Sequence, residues 1–342
     1  MTNMKRSILI TGGAGFIGSN FINYMVTKYP TYKIINLDKL TYAGSLDNLT
    51  DIEMKDNYLF VKGDIANIDL LNNLFKTYFI TDVIHLAAES HVDRSIQDAA
   101  SFVTTNVFGT FNLLQVAKTN WEKNSNLKKH RFHHISTDEV YGSLDNEGMF
   151  SEETPYDPRN PYSATKASSN MLVKSFGYTY GMDFVISSCS NNFGPKQHKE
   201  KLIPTIIRQA LLNKPIPIYG DGQNIRDWIY VDDHCNALDI IFHHGKTMNT
   251  YNVGGRTEKT NIEIALKVCD KLERILPLKN RQIRQYRDLI NYTEDRLGHD
   301  RRYAVNDNKI RESLGWSQKT DFDTGLKKTI DWYVNQWKKT LN

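Results

Sequence analysis

Residues 7–19 read SILITGGAGFIGS, a strand-length apolar run that breaks into glycine and resumes as an apolar helical pattern from Phe16 to Met25. Gly12, Gly15 and Gly18 stand three apart. Glycine at such a turn lets the backbone double back and approach a pyrophosphate, whose charge then rests on the N–H groups of the helix start. A glycine triplet alone also describes an ordinary strand-to-helix turn, so the next strand matters. KIINL runs into Asp38, twenty residues after Gly18, where a carboxylate can hydrogen-bond the adenosine ribose hydroxyls. Together the two features predict a dinucleotide site. An acid at this position repels a 2′-phosphate, which selects NAD over NADP, although Lys39 beside it works in the opposite sense.

Strand-like runs continue outward from this unit. YLFVK, DVIHLA, RFHHIS and DFVISS alternate with helical stretches as far as Ser188. Such alternation predicts an α/β fold, a Rossmann-type doubly wound parallel sheet with helices on both faces. After residue 190 the rhythm weakens, KPIPIYGDG clusters Pro and Gly, and charged helical stretches follow at Ile262–Leu276 and Thr324–Lys339. Residues 1–190 are expected to form the dinucleotide-binding domain and 191–342 a smaller mixed α/β substrate domain. The stretch Asp227–Val231 reads as a strand able to rejoin the first sheet, so a returning segment is expected near 222–245.

Composition narrows the partners. The chain of 342 residues is 40% hydrophobic and 24% charged, the balance of a globular protein and not of a fibre or a disordered chain. Its 43 Lys and Arg are interspersed with 39 Asp and Glu, for a net charge of +4, which suggests no nucleic-acid partner. Apolar runs stay far below the roughly 18–20 residues of a membrane span. The basic residues within Met1–Arg6 lead into a strand and glycines, not into a signal-peptide apolar core. Cys189, Cys235 and Cys269 have no CxxC spacing, so a reducing, cytoplasmic location is expected. His133–His134 and His243–His244 are adjacent pairs that cannot both face one metal from a strand, and no metal site is read.

Chemistry gathers after the fifth strand. STDEVYG occupies 136–142, and PYSATKAS follows with Tyr162 and Lys166 four apart at the start of a helix, hence on one face. A neighbouring ammonium favours the phenolate. A phenolate beside a nicotinamide can take an alcohol proton while hydride leaves the same carbon. The same spacing is common on surface helices, but here it comes after a dinucleotide fingerprint and several βα units. Adjacent Asp138 and Glu139 at a strand end supply an acid and a base if their surroundings separate their pKa values. The turns Gly63–Asp64–Ile65 and Leu86–Ser90 follow the third and fourth strands, at the sheet edge where open α/β folds bind ligands.

GGAGFIGS with YSATK resembles the extended short-chain dehydrogenase/reductase superfamily. DKLTYAG (38–44), AAESHVDRS (87–95), STDEVYG, NNFGP (191–195), EKLIP (200–204), RDWIYVDDH (226–234), YNVGG (251–255) and GHDRRYA (298–304) are together similar to its dTDP-glucose 4,6-dehydratase family, over nearly the whole chain. Lys196 departs from that family's usual aromatic, and Leu297 from its usual proline.

The resemblance implies NAD as cofactor, held by Gly12, Gly15, Phe16, Ile17, Gly18, Asp38, Lys39, Leu40, Thr41, Asp64, Ile65, Leu86, Ala87, Ala88, Ser90, Thr105, Tyr162, Lys166 and Asn192. It implies Thr137, Asp138, Glu139, Tyr162 and Lys166 as catalytic residues. Tyr162 would deprotonate the hexose 4-hydroxyl as hydride passes to NAD, Glu139 would take the carbon-5 proton, and Asp138 would protonate the departing 6-hydroxyl. Hydride then returns to carbon 6. For dTDP-glucose the resemblance implies Ser90, Thr137, Asn191, Lys201, Leu202, Pro217, Tyr219, Arg226, Asn261, Arg296 and His299. Thymidine and uridine differ by one methyl group, worth about 1–3 kcal/mol in a pocket, and the residues leave that choice open. A homodimer built from Ala99–Lys118 and Ala164–Tyr180 is also implied. Two rivals remain at this level: a nucleotide-sugar 4-epimerase, which has no need of the Asp138–Glu139 pair, and a noncatalytic NAD-binding protein.

Overall fold

Strand and helix alternate from the start of the computed structural model, which describes residues 6–124, 127–276 and 283–341. Residues 1–5, Lys5 among them, lie outside the described residues. The first half contains β1 (Arg6–Thr11), α1 (Phe16–Lys28), β2 (Tyr32–Asp38), β3 (Tyr58–Lys62), α2 (Ile68–Tyr78), β4 (Asp82–His85), α3 (Val92–Gln97), α4 (Ala99–Phe102), α5 (Thr110–Asn124), β5 (Phe132–Thr137), α6 (Pro161–Tyr180) and β6 (Phe184–Cys189). The second contains β7 (Asn191–Phe193), α7 (Leu202–Leu211), β8 (Ile216–Tyr219), β9 (Ile225–Tyr230), α8 (Val231–His244), β10 (Asn249–Val253), β11 (Glu258–Thr260), α9 (Asn261–Ile275), β12 (Ile290–Thr293), α10 (Asn308–Leu314) and α11 (Phe322–Leu341).

Successive side chains of a strand point to opposite faces, and the core divides accordingly. Ile8, Ile10, Ile34 and Ile84 pack with Phe21, Ile22 and Met25 of α1 and with Leu238 and Phe242 of α8. Leu9, Ile35 and Val83 pack on the other side with Leu71, Leu113, Leu114 and Val173, from α2, α5 and α6. Burial on both faces is the condition for an all-parallel sheet. The strand order is β10-β6-β5-β4-β1-β2-β3, and every pairing is parallel. The order reverses between β1 and β4, the switch point at which a crevice opens beyond the strand ends.

A second core gathers Ile206 and Ile207 of α7, Ile264 and Val268 of α9, Leu326 and Ile330 of α11, and Trp228 and Tyr230 of β9. Two small sheets accompany it, β11-β9-β7 and β12-β8. Here the structure corrects one expectation. The strand read at Asp227–Val231 forms as β9, but it pairs with β7 and β11 and does not rejoin the main sheet. Its Trp228 and Tyr230 are claimed by the second core, while Asp227 accepts from the Gly255 and Thr257 N–H groups. The chain returns instead through α8 and then β10, which takes the sheet edge beside β6.

The glycine turn explains itself residue by residue. A Cβ on Gly18 would lie 2.1 Å from the Gly12 carbonyl oxygen, so helix and turn approach each other only because no side chain intervenes. Gly15 is different: its φ is −75°, and a Cβ there would meet nothing closer than 3.4 Å. The protein tolerates a side chain at Gly15; only a ligand in front of the helix start needs it absent.

Gly18→Ala should therefore lower stability by about 1–3 kcal/mol through overpacking, whereas Gly15→Ala should stay within about 1 kcal/mol of the parent. Urea denaturation of dinucleotide-free protein measures both. The Gly15→Ala protein should nonetheless bind dinucleotide on the order of tenfold more weakly, and unchanged binding would remove the ligand explanation.

Candidate active site

One continuous cleft runs across the switch point. Gly12, Gly15, Phe16, Ile17 and Gly18 line it from the first turn, Asp38, Lys39 and Thr41 from the end of β2, and Asp64 and Ile65 from the end of β3. Leu86, Ala87, Ala88 and Ser90, beyond β4, continue the wall to Thr105, and Asn192 closes the far side. Leu40 is the one expected cofactor residue that does not line the cleft. Its backbone is left-handed, with φ 56°, its N–H donates to Asp38 Oδ1 at 2.8 Å, and its side chain packs against the core beneath α1.

Asp38 does two things at once. Its other oxygen accepts from the Ala14 N–H at 2.9 Å, so the carboxylate fixes the glycine turn to the end of β2 while standing in the cleft. Lys39, whose charge argued for a 2′-phosphate, instead pairs with Asp64 at 2.7 Å. The open space before Gly15, the acid at Asp38 and the quenched Lys39 together fit NAD.

The cleft continues to Thr137, Asp138, Glu139, Tyr162 and Lys166. β5 delivers the first three, because Asp138 opens a single helical turn capped by the Thr137 hydroxyl, which accepts from the Glu139 N–H at 3.3 Å. α6 delivers the last two. Pro161 sits at its first position behind an Asn160–Ser163 capping box, a start that fixes where the helix begins and hence where Tyr162 and Lys166 point.

Electrostatics separates the two acids. Burial raises the Asp138 carboxyl well above the carboxylate range, and Glu139 and Asp227 push it further. The shift favours its protonated form. Its Oδ2 is buried without a hydrogen-bond partner, as suits a group with a proton to give. Burial also raises Glu139, but Arg296, Arg226 and Lys201 oppose the rise, so Glu139 is the member of the pair kept closer to its anion.

Tyr162 departs from expectation. Burial drives its phenol well above the ordinary value of 10.0, Glu139 and Cys189 add to the rise, and a hydrogen bond with Thr137 eases it. Lys166 is not what shifts it. The Lys166 ammonium donates to the Ile135 carbonyl at 2.7 Å, and burial lowers it from 10.5 to about 8.

The expected substrate residues fall into two groups. Ser90, Thr137, Asn191 and Lys201 line the same cleft as Tyr162 and Lys166. In the second half of the chain, Pro217 and Tyr219 lie on β8, Arg226 on β9 and Asn261 at the start of α9. Tyr219 meets His299 edge-on at 6.3 Å, and Leu202 opens α7. Lys201 donates to the Ser90 carbonyl at 3.0 Å. Arg226 gives Nη1 to the Ile225 and Arg301 carbonyls and Nη2 to the Asp300 carbonyl, which engages three of the five N–H donors of a guanidinium.

Sequence reading missed Asn106. It lies in a π-helical segment, Val103–Gly109, and its side chain accepts from the Glu89 N–H and donates to the Glu89 carbonyl and to Thr165 Oγ1, at 2.8, 3.0 and 2.9 Å. It pins the Ala88–Ser90 wall to the catalytic helix. A single asparagine and a one-residue helical bulge leave no periodic trace in the sequence. Cys189, Glu89, His198 and Glu200 also line the cleft; Glu89 and Glu200 fall within the AAESHVDRS and EKLIP runs, but none of the four is among the expected site residues.

Residues 9–329 match the sequence family described as GDP-mannose 4,6 dehydratase. A Haemophilus influenzae protein named dTDP-glucose 4,6-dehydratase is 48% identical over 96% of this chain and 98% of its own length. Among solved structures, a Bacillus anthracis dTDP-glucose 4,6-dehydratase in complex with NAD superposes with a TM-score of 0.85 at 43% identity, covering 98% of this chain and 100% of its own. A Streptomyces venezuelae dTDP-glucose 4,6-dehydratase with NAD and dTDP bound gives 0.88 at 38% identity, with 98% and 100% covered. The chain belongs to the dTDP-glucose 4,6-dehydratase family.

Its two departures from the dTDP-glucose 4,6-dehydratase pattern lie apart from the catalytic groups. Lys196, left-handed at φ 72°, donates to the Asn48 carbonyl at 2.7 Å and so ties the loop after β7 to the loop after β2. Leu297 is 76% exposed.

The buried Lys166 makes a signed prediction for this dehydratase-family site. Its folded pKa lies below its unfolded one, so burying the ammonium costs stability below about pH 8, and the cost is relieved as pH rises from 8 towards 10.5. Lys166→Met should stabilise the protein by about 1–3 kcal/mol at neutral pH, and this advantage should shrink at pH 9–10. Denaturation at the two pH values measures it, and a destabilised variant would show the Ile135 hydrogen bond outweighing the desolvation.

Proposed function

We propose that this protein converts dTDP-D-glucose to dTDP-4-keto-6-deoxy-D-glucose and water, as an NAD-dependent hydro-lyase. The observation that carries this reading is the pair of buried acids lining one cleft with Tyr162 and Lys166, Asp138 with its pKa driven up and Glu139 with cations opposing the rise. An oxidation and its reversal need only the last two; an elimination needs the pair.

Gly12–Gly18, Asp38 and Asp64 would hold NAD, with Thr105 and Asn192 flanking it. NAD would supply a hydride acceptor and donor, and its positive charge would favour the Tyr162 phenolate that Lys166 alone does not secure. Tyr162, with Thr137 aligning it, takes the 4-hydroxyl proton. The 4-ketone acidifies carbon 5, from which Glu139 removes a proton. Asp138 gives its proton to the 6-hydroxyl, which leaves as water. Glu139 then returns its proton to carbon 5 as carbon 6 is reduced. Transfer of one proton from Tyr162 to Asp138 restores both, so each turnover ends with the protein as it began.

Lys201, Arg226 and Arg296 form the cradle for the nucleotide diphosphate, since guanidinium and ammonium donors match its oxygens. Pro217, Tyr219 and His299 take the base side, and Asn191 and Ser90 the sugar. The division of labour is a cofactor domain at 1–190, completed by α8 and β10, and a nucleotide-sugar domain over the rest of 191–342. The partner is a second copy of the chain. Val103, Phe108, Met171 and Tyr178 are each at least 50% exposed and fall within the two segments Ala99–Lys118 and Ala164–Tyr180, an apolar surface that a monomer would leave in water. A cytoplasmic location follows from the three buried free thiols and the cofactor.

Purified protein incubated with dTDP-glucose, with no NAD added, should yield a product lighter by one water and the alkali-induced absorbance of a 4-keto sugar. UDP-glucose or UDP-galactose turning over in its place would reassign the base pocket. Glu139→Gln should still show transient reduction of the cofactor while product formation falls on the order of 10²-fold; native-rate product would remove Glu139 from the mechanism. Phe108→Glu combined with Met171→Glu should convert a dimer to a monomer in sedimentation, and a monomeric parent would overturn the dimer.

A further inference from the structure

Asp93 stands in the first turn of α3, on the cofactor side of the cleft, yet its carboxylate faces the nucleotide cradle. Oδ1 lies 3.8 Å from Arg296 Nε, a buried nitrogen without a hydrogen-bond partner. The Asp93 charge raises the Tyr219 phenol, after burial, and opposes the fall that burial imposes on the Lys201 ammonium. His91 adds a longer contact, 3.9 Å from Oδ2. Three of these four neighbours are groups assigned above to dTDP-glucose.

A carboxylate that shares cations with a diphosphate competes with it. Like charges drawn to the same guanidinium and ammonium repel each other, and Arg296 cannot donate fully to both. Asp93 is 31% exposed at its side chain, so it has solvent into which to turn when phosphate oxygens take its place. We propose that Asp93 is an anionic counterweight in the nucleotide cradle, which lowers the affinity for the nucleoside diphosphate and thereby speeds release of nucleotide-sugar product. It touches no reacting atom and is a positioning residue, and the proposal rests on reading the cradle as a diphosphate site.

A merely structural role makes the opposite prediction. An acid in the first turn of a helix stabilises that turn, so its loss would loosen α3 and weaken whatever binds against it. The sign of the effect therefore separates the two.

The test is titration of the NAD-loaded protein with dTDP, for the parent and for Asp93→Asn, Asp93→Ser and Asp93→Glu. The two neutral variants should bind dTDP about three- to tenfold more tightly, with a gap that narrows as salt rises. Asp93→Glu should stay near the parent. In steady state the neutral variants should show a lower KM for dTDP-glucose and stronger inhibition by dTDP. Asp93→Ser keeps a side chain suited to a helix start should the asparagine variant fold poorly. Neutral variants that bind dTDP no tighter than the parent overturn the proposal alone. A parent that binds no dTDP overturns the diphosphate reading and the proposal with it.

Discussion

Burying two adjacent carboxyl groups at the end of β5 is the constraint around which the site is arranged. Asp138 and Glu139 cannot both ionise cheaply in that position, because each loses solvation and each repels the other. The fold resolves this unequally. Asp227, itself fixed by the Gly255 and Thr257 N–H groups, adds negative charge beside Asp138, while Arg296, Arg226 and Lys201 place positive charge around Glu139. The proton is favoured on Asp138, while at Glu139 the same tendency is opposed. Two residues of the same chemical type are thus separated by surroundings that the second half of the chain supplies.

That outcome depends on holding the parts in register. Lys166 is tied to the carbonyl of Ile135, two residues before Thr137 in β5, and Asn106 ties α6 to the Ala88–Ser90 wall through Glu89 and Thr165. Ser169 adds a hydrogen bond to the Asn106 carbonyl at 2.6 Å. The π-helical segment is what turns Asn106 into this junction, since an extra residue per turn re-aims the side chains that follow it. Side chains on α6 are thus fixed against both the strand that carries the acids and the loop after β4. The geometry needed for proton transfer is set by ordinary core contacts before any ligand enters.

The extent to which this was legible in the sequence follows from how local each signal is. The six strands of the first half and the glycine turn were readable because short apolar runs, turn chemistry and the Asp38 spacing all act within a few tens of residues. Tyr162 and Lys166 were readable because one helical turn joins them. The strand at Asp227–Val231 was found, but not its partners: which sheet a strand enters is decided by Trp228 and Tyr230 packing against α7, α9 and α11, a tertiary fact with no local trace. β7 and β11 are three residues each, too short for a pattern. Leu40 was misplaced because its left-handed backbone turns a residue of the DKLT run away from the cleft. The sequence also implied that Lys166 would favour the Tyr162 phenolate; burial, which a sequence does not display, pushes that phenol upward instead.

The cations that steady Glu139 are the ones proposed to hold the diphosphate, and this sharing couples binding to chemistry. Before a nucleotide sugar arrives, Arg296, Arg226 and Lys201 act on Glu139 undiluted and favour its anion. Once phosphate oxygens engage the same groups, part of that positive field is neutralised and the Glu139 carboxylate becomes a stronger base. The increase comes only when a sugar has been delivered beside it. Asp138 gains in the opposite sense, since added negative charge strengthens its hold on the proton until the 6-hydroxyl is positioned to accept it. A base sharpened by its own substrate adds to the rise that burial already gives Glu139 in the free protein, without the folding cost of leaving a buried carboxylate unpaired there.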